Sequence, residues 1–330
     1  MRLALPKLWN AALLCLFASV LALPASADPQ QQPQTGWWHT SDLVDYGIIA
    51  GSLGVFGGLH LATPLDSAGI GPRFDPLHPA SILDPTLSDR IGKKYLVEDK
   101  QETVPALWVG LAIPVVAGWL ALQEGLPGNR DARHLHDTLV GFGEAMSVTL
   151  MATEVLKFSF GRLRPDFQDR ARRYYCNRAD HADIDCTGFT EGPLSDDPSK
   201  VEKIWADGRR SFPSGHASTS FALATYAALV TGGHFVWGKD ATDTTRAWGI
   251  PIQAAIVALA TFVAWSRVDD GRHNVSDVLT GAALGTAIAN ISYWRRFDTQ
   301  GRSRNSDFGA SSMSLTGGPG TAGVGMMLRF

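Results

Sequence analysis

The chain has 330 residues, of which 45% are apolar and 18% charged, a balance between that of a soluble enzyme and that of a polytopic membrane protein. A formal net charge of −3 excludes a global basic field for nucleic acid, so any anion must be held by local groups.

The first residues read as a secretory signal. Arg2 and Lys7 precede an apolar run over 8–23, and Ala25-Ser26-Ala27 follows as a small-x-small cleavage pattern before Asp28. Cleavage after residue 27 is expected, with an uncleaved membrane anchor as the alternative. Export would place Cys176 and Cys186, close together in a polar stretch, where they can pair as a disulfide. Two free thiols are the bland reading.

Six segments then carry helix-like apolar content: about 43–65, 104–122, 136–160, 216–230, 250–265 and 278–294. The second and fifth are apolar on all faces and approach the roughly 20 residues that cross a bilayer of about 30 Å. Gly54 with Gly58 and Gly281 with Gly285 have a spacing that lets helices pack closely. Polar stretches at 66–103, 165–210 and 232–248 separate the helices. A Gly/Ser-rich tail over 295–330 reads as a hairpin or a loose end, and it lacks the repeated alternation of a β-barrel. The predicted architecture is therefore all-α, a membrane-embedded six-helix bundle over 42–294.

Three clusters carry the chemistry. At the end of the third segment, Lys157 and Arg164 lie about two turns apart, and Pro165 closes the helix. Alone this is equally a basic anchor at a membrane surface. Before the fourth segment, Ser211-Phe212-Pro213-Ser214-Gly215-His216 offers unpaired amides at a helix start, a phosphate seat with His216 on its rim to protonate a leaving oxygen. Ordinary capping would use the same residues. Between the fifth and sixth segments, Ser266 and Arg267 precede His273 and Asp277, which sit one helical turn apart. In that arrangement Asp277 accepts a hydrogen bond from one ring nitrogen of His273 and leaves the other basic. A helix cap with surface charge is the plain alternative.

In an antiparallel bundle the three places converge at one end, gathering Lys157, Arg164, Arg267 and both histidines around one point. A phosphoryl group suits that cation density, which serves where other enzymes use a metal. No zinc-spaced ligand set and no Walker loop occurs in the sequence.

Taken together, the clusters resemble the signatures K-x6-R-P, P-S-G-H and S-R-x5-H-x3-D of the type 2 phosphatidic acid phosphatase superfamily. The flanks at 161–167, 211–218 and 272–279, with Asp84-Pro85 and Glu102-Thr103-Val104-Pro105, are similar to its lipid phosphate phosphatase branch. The resemblance implies that His273 attacks phosphorus with Asp277 orienting it, that a phosphohistidine forms, and that His216 protonates the departing alkoxide. Lys157, Arg164, Ser214, Gly215 and Arg267 would bind the phosphoryl oxygens. It further implies a lipid phosphate or diphosphate substrate, membrane lipids as surroundings, no cofactor and no nucleic acid. A soluble periplasmic acid phosphatase shares the signatures, and a vanadate haloperoxidase or a non-catalytic lipid-phosphate binder are further readings. An inner-membrane location with a periplasm-facing site is expected. Cleavage of the signal conflicts with this, because three crossings from an outside N-terminus would put the 157–165 cluster inside.

Overall fold

The structure is a computed structural model, and it describes residues 42–61, 102–125, 132–165, 207–304, 315–318 and 321–324. Residues 1–27 and both cysteines of the expected disulfide lie outside these. Six helices occur among the described residues: α1 Asp42–Leu61, α2 Ala106–Glu124, α3 Ala132–Phe160, α4 Gly215–Phe235, α5 Asp243–Asp269 and α6 Val275–Arg296. Beyond them, β1 Leu315–Gly318 and β2 Thr321–Val324 form an antiparallel pair in which Leu315 faces Val324. The all-α six-helix bundle stands.

Local chemistry explains where the helices begin and end. Pro105 caps α2 in an extended conformation, which suits a residue that cannot donate to the first turn. α5 starts earlier than the expected residue 250: Thr242 and Thr245 exchange side-chain to backbone hydrogen bonds in a capping box, and Pro251 is carried inside the helix. The polar stretch between α4 and α5 shrinks accordingly. α3 ends where Gly161 takes a φ of 56°, which favours glycine and swings 162–164 back across the bundle end.

α4 is the central column, in contact with α2, α3, α5 and α6, and it is buried from Ala217 to Gly232. Around it, Phe142, Met146, Leu223, Tyr226, Leu229 and Tyr293 form the main apolar core. A second cluster of Phe221, Ala260, Ala264, Val268 and Val278 lies beneath the phosphate-seat end. The expected close packing holds at α6. A Cβ on Gly281 would come within 2.6 Å of the Ser214 carbonyl oxygen, and one on Gly285 would meet the Ser218 carbonyl. It does not hold at α1, where a Cβ on Gly54 or Gly58 meets nothing within 4 Å.

The helices run up and down. At one end, α1 stops beside Arg210, α2 begins against Asp270, α3 and α5 finish, and α4 and α6 start. At the other end, Asp45 of α1 pairs with Arg295 at 2.7 Å and with Arg296 at 3.0 Å, and Glu144 of α3 pairs with both arginines. These buried ions neutralise one another in place of water. The chain stays on the bundle past α6, where Phe297 stacks on Tyr293 and Ser303 bonds Asp137.

Among the described residues, three helices are long and apolar enough to cross a membrane: Ala106–Glu124, His134–Phe160 and Asp243–Asp269. Their outer faces expose large side chains, with Trp108 at 69%, Val115 at 70% and Leu259 at 67%. Apolar outer faces of this kind belong in lipid, and the chain is a membrane protein.

Candidate active site

α6 opens with the N-cap Asn274, whose amide donates to Asp277 Oδ2 at 2.8 Å. This fixes Asp277 in the first turn, fully buried. Its two oxygens are crowded with donors. Arg162 Nη1 bonds Oδ1, and Ser211 Oγ donates to Oδ2 at 2.6 Å. Arg162 also donates to Ser276 Oγ at 2.7 Å.

His273 sits just before this turn. Its Nδ1 lies 2.8 Å from the Ser211 carbonyl oxygen and 3.7 Å from Asp277 Oδ2. The expected hydrogen bond from His273 to Asp277 is thus replaced. The backbone carbonyl accepts the Nδ1 proton, while Asp277 supplies negative charge just beyond bonding range and anchors Ser211 itself. The tautomer is the expected one: with Nδ1 donating, Nε2 keeps its lone pair. Arg164 Nη1 faces that nitrogen at 3.4 Å.

Burial first, and then the Arg164 cation, hold the His273 pKa down at about 4, with Asp277 partly offsetting both. The imidazole is therefore neutral across the physiological range, with a lone pair free on Nε2. Across the site, His216 Nε2 lies 3.4 Å from Arg267 Nη1. Burial first, then the Arg267 charge, holds the His216 pKa far below the usual histidine range.

The three predicted cations are brought together, each steadied from behind by an acid. Lys157 Nζ is 3.2 Å from Glu154 Oε1. Arg164 bonds the Asp207 carboxylate at 2.8 Å and the Asp207 carbonyl at 2.9 Å. Arg267 pairs with Asp270 at 2.7 Å and with Glu102 at 3.4 Å, and Thr103 holds Asp270 through its hydroxyl and amide. Such back-side pairing aims guanidinium and ammonium groups without cancelling their open faces. A Cβ on Gly215 would sit 3.1 Å from Lys157 Nζ, so glycine there lets the amine reach the helix start.

Ser214 also has a structural part. Its Oγ accepts from the Ala217 amide as the α4 cap, and its own amide donates to the Asp277 carbonyl at 3.0 Å. Ser214 thus ties α4 to α6, and the amides of Gly215 and His216 follow it in the first turn, where a helix start favours an anion.

Residues 138–300 match the family model described as the PAP2 superfamily. The chain carries a PAP2 superfamily domain. That domain contains every residue of the three clusters. Among relatives, the chain is 31% identical over 160 residues to the probable diacylglycerol pyrophosphate phosphatase 1 of Schizosaccharomyces pombe, covering 48% of this chain and 53% of that one. It is 33% identical over 176 residues to diacylglycerol pyrophosphate phosphatase 1 of Saccharomyces cerevisiae, covering 51% and 55%. Phospholipid phosphatase 1 of Mus musculus is 28% identical over 204 residues, covering 58% and 67%. The chain spans about half the length of the first curated relatives it matches. No solved structure matches it.

Several working residues of the PAP2 site escaped the sequence reading. Arg162 and Ser211 hold Asp277, and the Ser211 carbonyl also accepts the hydrogen bond from His273 Nδ1. Both lie within the stretches singled out in the sequence, yet nothing in their spacing shows that they hold the aspartate. Glu154, Asp207 and Asp270 brace the cations from points that only folding brings near.

Proposed function

We propose that the PAP2 domain hydrolyses phosphate monoesters or diphosphates of lipids through a phosphohistidine. The observation that carries the reading is the pair of imidazoles facing one cation cluster: His273 with Nε2 unprotonated toward Arg164, and His216 against Arg267. In the first step His273 Nε2 attacks phosphorus, the bond from phosphorus to the lipid oxygen breaks, and His216 delivers a proton to that oxygen. The resting His216 is neutral, which fits a base. A phosphoryl dianion drawing Arg267 toward itself raises the proton affinity of His216 and readies it as the acid. In the second step His216 takes a proton from water, the water oxygen bonds to phosphorus, and the phosphorus–Nε2 bond breaks. Lys157, Arg164, Arg267 and the amides of Gly215 and His216 stabilise the charge on the equatorial oxygens.

A lipid substrate is supported by the apolar outer surface around the cluster and by relatives named for diacylglycerol pyrophosphate and phospholipid. Phosphatidate, diacylglycerol pyrophosphate and polyprenyl pyrophosphate share the required chemistry. His273→Ala is expected to abolish phosphate release from all three while the protein still extracts and elutes as wild type; substantial turnover by that folded variant overturns the mechanism. Cation density of this order makes added magnesium unnecessary, and a strict magnesium requirement would count against it.

We infer further that the domain lies in an inner membrane with its site facing the periplasm. Because α1 runs the whole length of the bundle, residue 42 is on the side opposite the site. A periplasmic site therefore requires an N-terminus of α1 on the inner side, which disfavours cleavage after residue 27. Protease added to intact spheroplasts should cut within 176–210; protection of that stretch until the membrane is opened puts the site inside.

A further inference from the structure

We propose that Glu124, His134 and His234 form a zinc site at the end of the bundle opposite the phosphoryl site. The three come from three helix ends: Glu124 closes α2, His134 opens α3 and His234 lies in the last turn of α4. Their ligand atoms all lie within 4.8 Å of one another. Two imidazoles and one carboxylate are a donor set suited to zinc, with a fourth position for water.

The hydrogen-bond geometry is what points to a cation. His134 Nδ1 faces Glu124 Oε2 at 2.8 Å, and its Nε2 faces the Gly301 carbonyl at 2.9 Å. Both partners are acceptors, while a neutral imidazole carries one N–H. A second proton on His134 would satisfy both acceptors as an ion pair with Glu124. A metal at Nδ1 does so as well, with Nε2–H donating to Gly301 and the Nδ1 lone pair binding the ion, and a second imidazole nitrogen on the same carboxylate favours the metal. A ligating histidine whose other nitrogen donates to a backbone carbonyl is the usual outer-shell arrangement. His234 Nε2 approaches the other carboxylate oxygen, Oε1, at 2.9 Å. Thr138 Oγ1 donates to that same oxygen at 2.8 Å and fixes the plane of the carboxylate. Ligand bonds of about 2.1 Å need each nitrogen–oxygen separation to open by about half an ångström, within reach of small side-chain rotations.

The site has a structural consequence. Gly301 belongs to the segment after α6, so the ion would join that segment through His134 to the ends of α2, α3 and α4. The 18 residues from His216 to His234 along α4 put it roughly 27 Å from the phosphoryl site at about 1.5 Å per residue. It does not rest on the phosphatase reading.

The test uses the full-length chain without a histidine tag, purified in detergent from zinc-supplemented cells, with metal measured by mass spectrometry. About one zinc per chain is expected in the wild type and equally in inactive His273→Ala, so a failed mechanism leaves this result intact. Glu124→Gln and His234→Ala should fall to a tenth of that or less. After chelation, added zinc should raise the apparent Tm of the wild type by about 5 °C. If the variants do not fold, that titration decides alone. Folded wild type that binds no zinc or shows no Tm shift, variants that bind as wild type, or stoichiometric binding of another divalent ion in place of zinc each overturn the assignment.

Discussion

At His273 buried effects oppose one another. Loss of water and the Arg164 charge disfavour the imidazolium, while the Asp277 carboxylate favours it, and the first two win. In the proposed mechanism the active form is the unprotonated base, so activity should survive acidification until the folded-state value near 4 is reached and fall below it. Profiles of kcat/KM against pH should therefore show an acid limb near 4 and no loss through the ordinary histidine value of 6.5. Arg164→Ala, though slow, should move that limb upward because it removes a cation from beside the ring. A limb already at 6.5 in the wild type contradicts the burial argument. Asp277 and Arg162 form a buried pair with unequal replacements. Asp277→Asn keeps most of the volume and should cost less activity than His273→Ala, since the Ser211 carbonyl still accepts the hydrogen bond from His273 Nδ1. Arg162→Ala strands a buried carboxylate and should destabilise the protein by about 3 kcal/mol, read as a lowered midpoint of detergent-compatible unfolding.

Among the elements, the contact of α4 with α6 decides the geometry of the site. α4 carries Ser214, Gly215 and His216, α6 carries Asp277, and the two backbones meet at Gly281 and Gly285. Gly285→Ala wedges a methyl group against the Ser218 carbonyl, which overpacking penalises by about 1–3 kcal/mol. Because the wedge separates His216 from His273, turnover should fall by up to about 100-fold. Gly54→Ala, on the open face of α1, is the control. It should leave activity alone and stabilise α1 slightly through helix propensity, by about 0.5–1 kcal/mol. Equal effects of the two substitutions, measured as specific activity and Tm, would show that the α4–α6 approach does not set the site.

For the whole molecule, the exposed apolar faces of α2 and α5 decide where it resides. Trp108, Leu111, Val115, Leu259 and Phe262 cannot stay in water together without aggregation. The protein should remain in the pellet after alkaline carbonate extraction and need detergent for release. Recovery in the soluble periplasmic fraction would restore the acid-phosphatase alternative. Val115→Arg, near the middle of α2, should reduce membrane insertion at a cost of about 2.5–3.5 kcal/mol.

Sequence by itself determined the helix count, the apolar character of α2 and α5, and the three clusters that the fold brings to one end, because periodicity and motif spacing are local properties. Lys157, Arg164, His216 and His273 could be named without coordinates, since each cluster lies at a helix end whose chemistry is written in adjacent residues. Only the tertiary structure decided that the Nδ1 proton of His273 goes to the Ser211 carbonyl and that Asp277 is shared with Arg162, because main-chain acceptors have no sequence signature. Glu124, His134 and His234 likewise meet only when three helices end at one level. Their separation in the chain hides them, and packing around α4 brings them together.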